Sequence, residues 1–99
     1  MRQAAALDAM VNKERASALA LTGERLEREL LEVRRLRGLL AELAGSELER
    51  ARRMLADSEQ QVCRQLWNLI VQREALGIMR HDEVYEQYRI PRSVVPRPV

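Results

Sequence analysis

The stretch "LAGSELE", Leu43 to Glu49, decides the fold of this chain. Gly45 suits the left-handed backbone position that follows the end of a helix. Ser46 and Glu49 have the spacing of a capping box, in which the serine hydroxyl accepts from the Glu49 N–H and the glutamate carboxylate reaches back to the Ser46 N–H. A helix that stops and restarts within so few residues sends its second half back along its first. The stretch therefore predicts an antiparallel helical hairpin, and the fold class is all-α.

Working upstream, residues from about 3 to 43 read as one helix. Leu19, Leu26, Leu30, Val33, Leu36, Leu40 and Leu43 recur at steps of three, four or seven, which is the signature of a helical face. Glu24/Arg28, Arg25/Glu29 and Arg28/Glu32 are spaced to support it from outside. Gly23 costs such a helix about 1 kcal/mol against alanine. With Ala16 and Ala20 nearby, it reads as a place of close helix–helix contact.

Downstream, a second helix spans about 47–76. Leu48, Ala51, Leu55, Val62, Leu66, Leu69 and Leu76 mark one stripe. Cys63, Trp67, Ile70 and Val71 make the stretch 62–71 apolar on most of its circumference, so one partner helix cannot cover it. Gly77 ends the helix. Asp82 reads as the N-cap of a short third helix running to about Tyr88, and Ile90-Pro91 closes it. The chain divides into a helical hairpin domain with its short third helix, 1–89, and an extended proline-containing tail, 90–99.

Helix lengths of ~60 Å and ~45 Å follow from the helical rise. The first helix overhangs the second by about ten residues. The arm from residue 78 emerges at the same end, where it can pack over Leu7, Met10 and Val11 or on a second chain. A lone hairpin has little interior. A homodimer completing a four-helix, coiled-coil-like arrangement is expected, with Leu19, Leu26, Val62, Leu66, Trp67, Leu69 and Ile70 as core or interface. Tyr85, Tyr88, Ile90 and Val94 form an apolar latch that pins the arm.

Composition bounds the rest. Ninety-nine residues make one domain, and a net charge of +2 is no nucleic-acid signature. Aromatics are 3% with no phenylalanine, so the core is aliphatic, a palette that suits helix–helix packing. A single cysteine, Cys63, excludes an intrachain disulfide and fits a reducing compartment. Asp8 interrupts the early apolar run, which argues against a secretory peptide. No run is long enough to span a membrane, and a cytoplasmic location is expected. The Arg/Ala/Leu bias suggests a GC-rich bacterial genome.

Several phrases resemble a small family of uncharacterised bacterial helical proteins known as a domain of unknown function. They are Arg15-Ala16-Ser17-Ala18-Leu19, Gly23 with Arg25-Leu26-Glu27, then Trp67, Val71-Gln72-Arg73-Glu74, Gly77, His81, and Tyr88 with Ile90-Pro91. The resemblance covers most of the chain except the hairpin turn. It implies a small helical protein, and it carries no activity and no functional residue.

Candidate chemistry is sparse. His81, Asp82, Glu83 and Glu86 lack the paired His or Cys that would close a metal shell. Cys63 and His81 could form a nucleophile–base pair, but Cys63 sits in an apolar run where cysteine serves as a small hydrophobe. No phosphate loop or nucleophile elbow is present. No catalytic residue, metal or cofactor is assigned. Arg73 is expected to pair with Glu14 on the first helix.

Arg34, Arg35, Arg37, Arg50, Arg52 and Arg53 flank the turn. Diluted by Glu32, Glu42, Glu47 and Glu49, they read as a solvated, salt-bridged face, with an anion-binding tip as the alternative. The segment "EVYEQYRIPRSVV", Glu83 to Val95, looks like a helix-turn-helix reader. However, only Arg92 to Val95 is available before Pro96, too short for a recognition helix.

The leading expectation is a non-enzymatic interaction or assembly module, dimeric and open to a further protein partner. The alternative is a small nucleic-acid-associated protein using the arginine tip or the C-terminal arm.

Overall fold

Gly45 takes φ +59°, in the left-handed region, and the chain turns there. The computed structural model describes residues 2–98. Three α-helices follow in order: α1 Arg2–Leu39, α2 Gly45–Ala75 and α3 Asp82–Tyr88, with a 3-10 turn at Leu40–Glu42 after α1. The long hairpin is the expected one, with α1 and α2 packed along each other. Its last turn before Gly45 tightens from α to 3-10, a common way for a helix to end.

The capping box does not form. Ala44 occupies the cap position of α2 with no side-chain cap, and its carbonyl accepts the Leu48 N–H at 3.3 Å. The positive φ of Gly45 makes the reversal itself, so the backbone starts the helix before Ser46.

Leu26, Leu30, Val33 and Leu36 of α1 meet Leu55, Val62, Leu66 and Leu69 of α2 in one aliphatic core. These are the periodic positions of each helix, as the spacing requires.

At the other end, α2 closes in a Schellman motif. Gly77, at φ +85°, donates its N–H to Glu74 O, and Ile78 donates to Arg73 O at 3.0 Å. α3 closes the same way, with Arg89 at φ +55° and Ile90 N–H on Tyr85 O at 2.9 Å. Arg89 is a non-glycine residue in a region that disfavours L side chains. Asp82 is the first residue of α3 and not its cap. His81 stands at the cap position, with no side-chain cap.

The arm does not cover the overhang. Leu7, Met10 and Val11 are all exposed. The turn at Gly77 instead sends the chain back toward the hairpin tip, along the groove between α1 and α2. Val84 and Ile90 join the core, and Tyr85, Tyr88 and Val94 pack against it. The tail is not simply extended: Val94 N–H bonds Pro91 O at 3.0 Å, and Arg97 N–H bonds Cys63 O at 3.1 Å.

This arm supplies the second cover that the stretch 62–71 needed, so Cys63 and Ile70 are half-buried within one chain. Trp67, expected in the core, is 38% exposed, and Val71 beside it is exposed too. Leu19 is half-buried.

Arg15 Nη1 reaches Ala75 O at 3.5 Å, which sets the level at which α2 ends. Residues 3–14 therefore project beyond it as bare helix, close to the overhang that the lengths required. The molecule is a rod of 66 × 21 × 21 Å.

Candidate interaction surface

The overhang is built from good helix formers. Ala4, Ala5, Ala6, Leu7, Ala9 and Met10 favour helix intrinsically, and α1 behind them supplies the nucleus. Every described side chain from Gln3 to Ala18 is exposed. Leu7 and Met10 are each 60% exposed. Ile78 and Met79, in the loop that follows α2, are exposed at the same base of the rod, while the exposed Leu21, Val71 and Trp67 lie further toward its middle, Trp67 ~12 Å before the end of α2. Leu31, Met54 and Val95, also exposed, are scattered along the body. An apolar concentration at one end is more informative than single exposed residues.

The base is stiffened by a polar cluster. Arg73 Nε donates to His81 Nδ1 at 3.3 Å, and Arg73 Nη2 donates to Arg80 O at 3.0 Å. With Nδ1 accepting, the ring carries its proton on Nε2, which faces Glu74 Oε1 at 3.2 Å. Arg73 thus ties down the loop between α2 and α3, and it does not pair with Glu14. Glu14 lies beyond the level of Ala75 and is exposed.

The latch residues all serve the arm. Arg34 Nη2 donates to Tyr88 O at 3.1 Å. A Cβ on Gly23 would lie 2.6 Å from the Tyr88 hydroxyl, so this glycine is the seat of Tyr88. The expected close approach of two helices is not what the glycine serves: it receives the tip of one side chain from α3, and Ala16 and Ala20 are exposed. Burial, and next the nearby Glu27, push the Tyr88 hydroxyl pKa above its ordinary value. Arg92 bonds Asp82 Oδ1 at 2.8 Å and lies 4.8 Å over the Tyr85 ring. The hydrogen bond from Arg92, and then its charge, hold the Asp82 carboxyl below the usual range. Sequence reasoning assigned no role to this clamp. Gly23 inside an otherwise regular helix was the signal for the seat, while Arg92 and Asp82 gave none.

The arginine tip is only partly as drawn. Arg34 is spent on the arm, Arg35 bonds Glu32 at 2.6 Å, and Arg37 faces Glu59 at 3.8 Å. Arg50, Arg52 and Arg53 are exposed. No helix follows Ile90-Pro91 among the described residues; a turn at Arg92-Ser93 stands where a reading helix would begin.

Cys63 and His81 are not brought together. Cys63 is ten positions before Arg73, ~15 Å along the helix, and His81 is held by Arg73. No group of three or more His, Cys, Asp or Glu among the described residues is arranged to hold a metal ion. Among the described residues no helix is long and apolar enough to cross a membrane.

No family model, no curated protein and no solved structure matches the chain. The resemblance to the bacterial helical family rests on the phrases that carry it.

Proposed function

We propose that the chain is a non-enzymatic assembly module that works as a homodimer and offers its surface to a further protein partner. The observation that supports this reading is the apolar base: a projecting helix with bare Leu7, Met10 and Val11, and exposed Ile78 and Met79 in the loop where α2 ends. Apolar surface gathered at one end of a rod costs solvation in water, and association removes that cost. The site chemistry supports it too, since His81 and its partners are used to hold a loop.

The test is solution mass. The chain weighs 11.5 kDa, and sedimentation at micromolar concentration should give about twice that mass, with little dependence on salt because the contact is mainly apolar. A nucleic-acid role would show differently. Binding through Arg50, Arg52 and Arg53 would weaken steeply as salt rises. A monomer with steeply salt-dependent duplex binding would replace this reading with that one.

A further inference from the structure

On the overhang and the α1 segment next to it, Ala4, Leu7, Val11, Glu14, Ala18 and Leu21 follow one another at alternating steps of three and four. That is the seam spacing of a coiled coil. At ~100° per residue the seam lies roughly a third of a turn round α1 from the face of Leu19, Leu26 and Leu30 that packs inside the hairpin. It is displaced in the opposite sense from Gly23 and Arg34, which meet the arm. All six seam residues are exposed. α1 thus carries two apolar faces, and its own chain uses one.

Resting on the assembly reading above, we propose that this seam pairs antiparallel with the same seam of a second copy. Size and charge fix the register. With Leu7 against the partner's Ala18, Ala4 lies against the partner's Leu21, so large faces small in each outer layer, as dense packing requires. Val11 lies against the partner's Glu14 near the two-fold axis. A single polar residue at a seam position selects register at some cost in stability. Beside the seam, Asp8 meets the partner's Arg15, and symmetry makes that pair twice. Within one chain, Arg15 reaches only the Ala75 carbonyl among the described residues, at 3.5 Å.

The register one heptad shorter puts Leu7 against the partner's Val11. It sets Asp8 opposite the partner's Asp8 and leaves Ala18 and Leu21 bare. The uncovered Leu21 of each chain counts most against it, since the favoured register also carries a like pair, the two Glu14 carboxylates in adjacent layers at the axis. A strongly charged partner fits the seam poorly, because one acid and one base flank it. A second copy supplies both the apolar layers and the opposite charges.

The experiment uses the full chain and sedimentation. Leu7→Glu with Leu21→Glu should weaken dimerisation on the order of a hundredfold, with helicity unchanged because both residues are exposed. Asp8→Arg should weaken it, and Asp8→Arg with Arg15→Asp should restore it. In a Cys63→Ser background, Leu7→Cys with Ala18→Cys should oxidise to a covalent dimer. These positions are ~16 Å apart within one helix, so the bond must join two chains. A covalent dimer from Leu7→Cys with Val11→Cys in its place would overturn the register. A native dimer indifferent to the glutamates would overturn the seam while the assembly reading stands. A native monomer would overturn both.

Discussion

At the scale of single residues, Gly23 is the most exposed to test. Helix propensity alone says that Gly23→Ala should gain about 1 kcal/mol. The added Cβ would sit 2.6 Å from the Tyr88 hydroxyl and 3.7 Å from the ring carbon bearing it. The clash is therefore with one oxygen. Gly23→Ala is expected to be neutral or destabilising in the native chain. In a Tyr88→Phe background, where the oxygen is gone, the same change should gain about 1 kcal/mol by urea unfolding. Equal effects in the two backgrounds would mean that the glycine does not seat the tyrosine.

Asp82 tests the clamp from the other side. Its folded pKa is depressed by Arg92, so its contribution to stability is present above the ordinary carboxylate range and is lost as pH falls through the depressed value. The group is fully exposed, and the readout is its own titration. Carbon-detected NMR should place the Asp82 midpoint below that of a free aspartate, and Arg92→Gln should return it to the ordinary range. No movement on that substitution would show Arg92 disengaged in solution.

At the scale of elements, α2 separates what the apolar pattern could and could not say. Leu66 is fully buried and its neighbour Trp67 is 38% exposed. Leu66→Ala should cost about 2–5 kcal/mol, as for a closed core site, whereas Trp67→Ala should cost well under the ~3–5 kcal/mol of a buried tryptophan. If the two midpoints fall together below the dimer's dissociation concentration, Trp67 is packed inside one chain. The C-terminus of α3 offers a gain. Arg89 holds a left-handed conformation that costs an L residue ~1–2 kcal/mol. Arg89→Gly should stabilise by up to about 1 kcal/mol, the looser unfolded chain taking back part of the relief, while Arg89→Val should destabilise.

The helices themselves were legible, because periodicity and glycine at a reversal are local signals. Leu26, Val62, Leu66 and Leu69 are buried for the same reason. Trp67 was not legible: a stretch apolar on most of its circumference says that more than one side is covered, not which side stays bare. The pairing of Arg73 needed a register to within one turn. Glu14 lies past the level where α2 ends, and the turn at Gly77 brings His81 back onto Arg73.

At the scale of the whole molecule, the path of the arm had to come from three dimensions. Sequence placed Tyr85, Tyr88, Ile90 and Val94 in a latch, and the structure packs all four on the hairpin core. Sequence reasoning sent the arm over the bare overhang or onto a second chain, and the hairpin groove was not among its options. The Schellman turn at Gly77 and the seat at Gly23 decide for the groove, and they leave the overhang free for a second chain. The arm is thus a strut within one chain, which separates its role from that of the proposed seam.

Deleting residues 90–99 should lower the melting temperature and raise the binding of an apolar dye. It strips Ile90 and Val94 from the core surface and removes Arg97 from the Cys63 carbonyl. Protection of amide hydrogens should fall first in α3, which loses the Ile90 N–H bond closing its end, and little in the first three turns of α2. Dimerisation through the α1 seam should survive, since no seam residue touches the deleted segment. Binding to nonspecific duplex DNA at low salt should hardly change, because only Arg92 and Arg97 leave the basic groups and Arg92 is already paired with Asp82. A large loss of DNA binding with the melting temperature unmoved would make the arm a reader, and the assembly reading would give way to a nucleic-acid one.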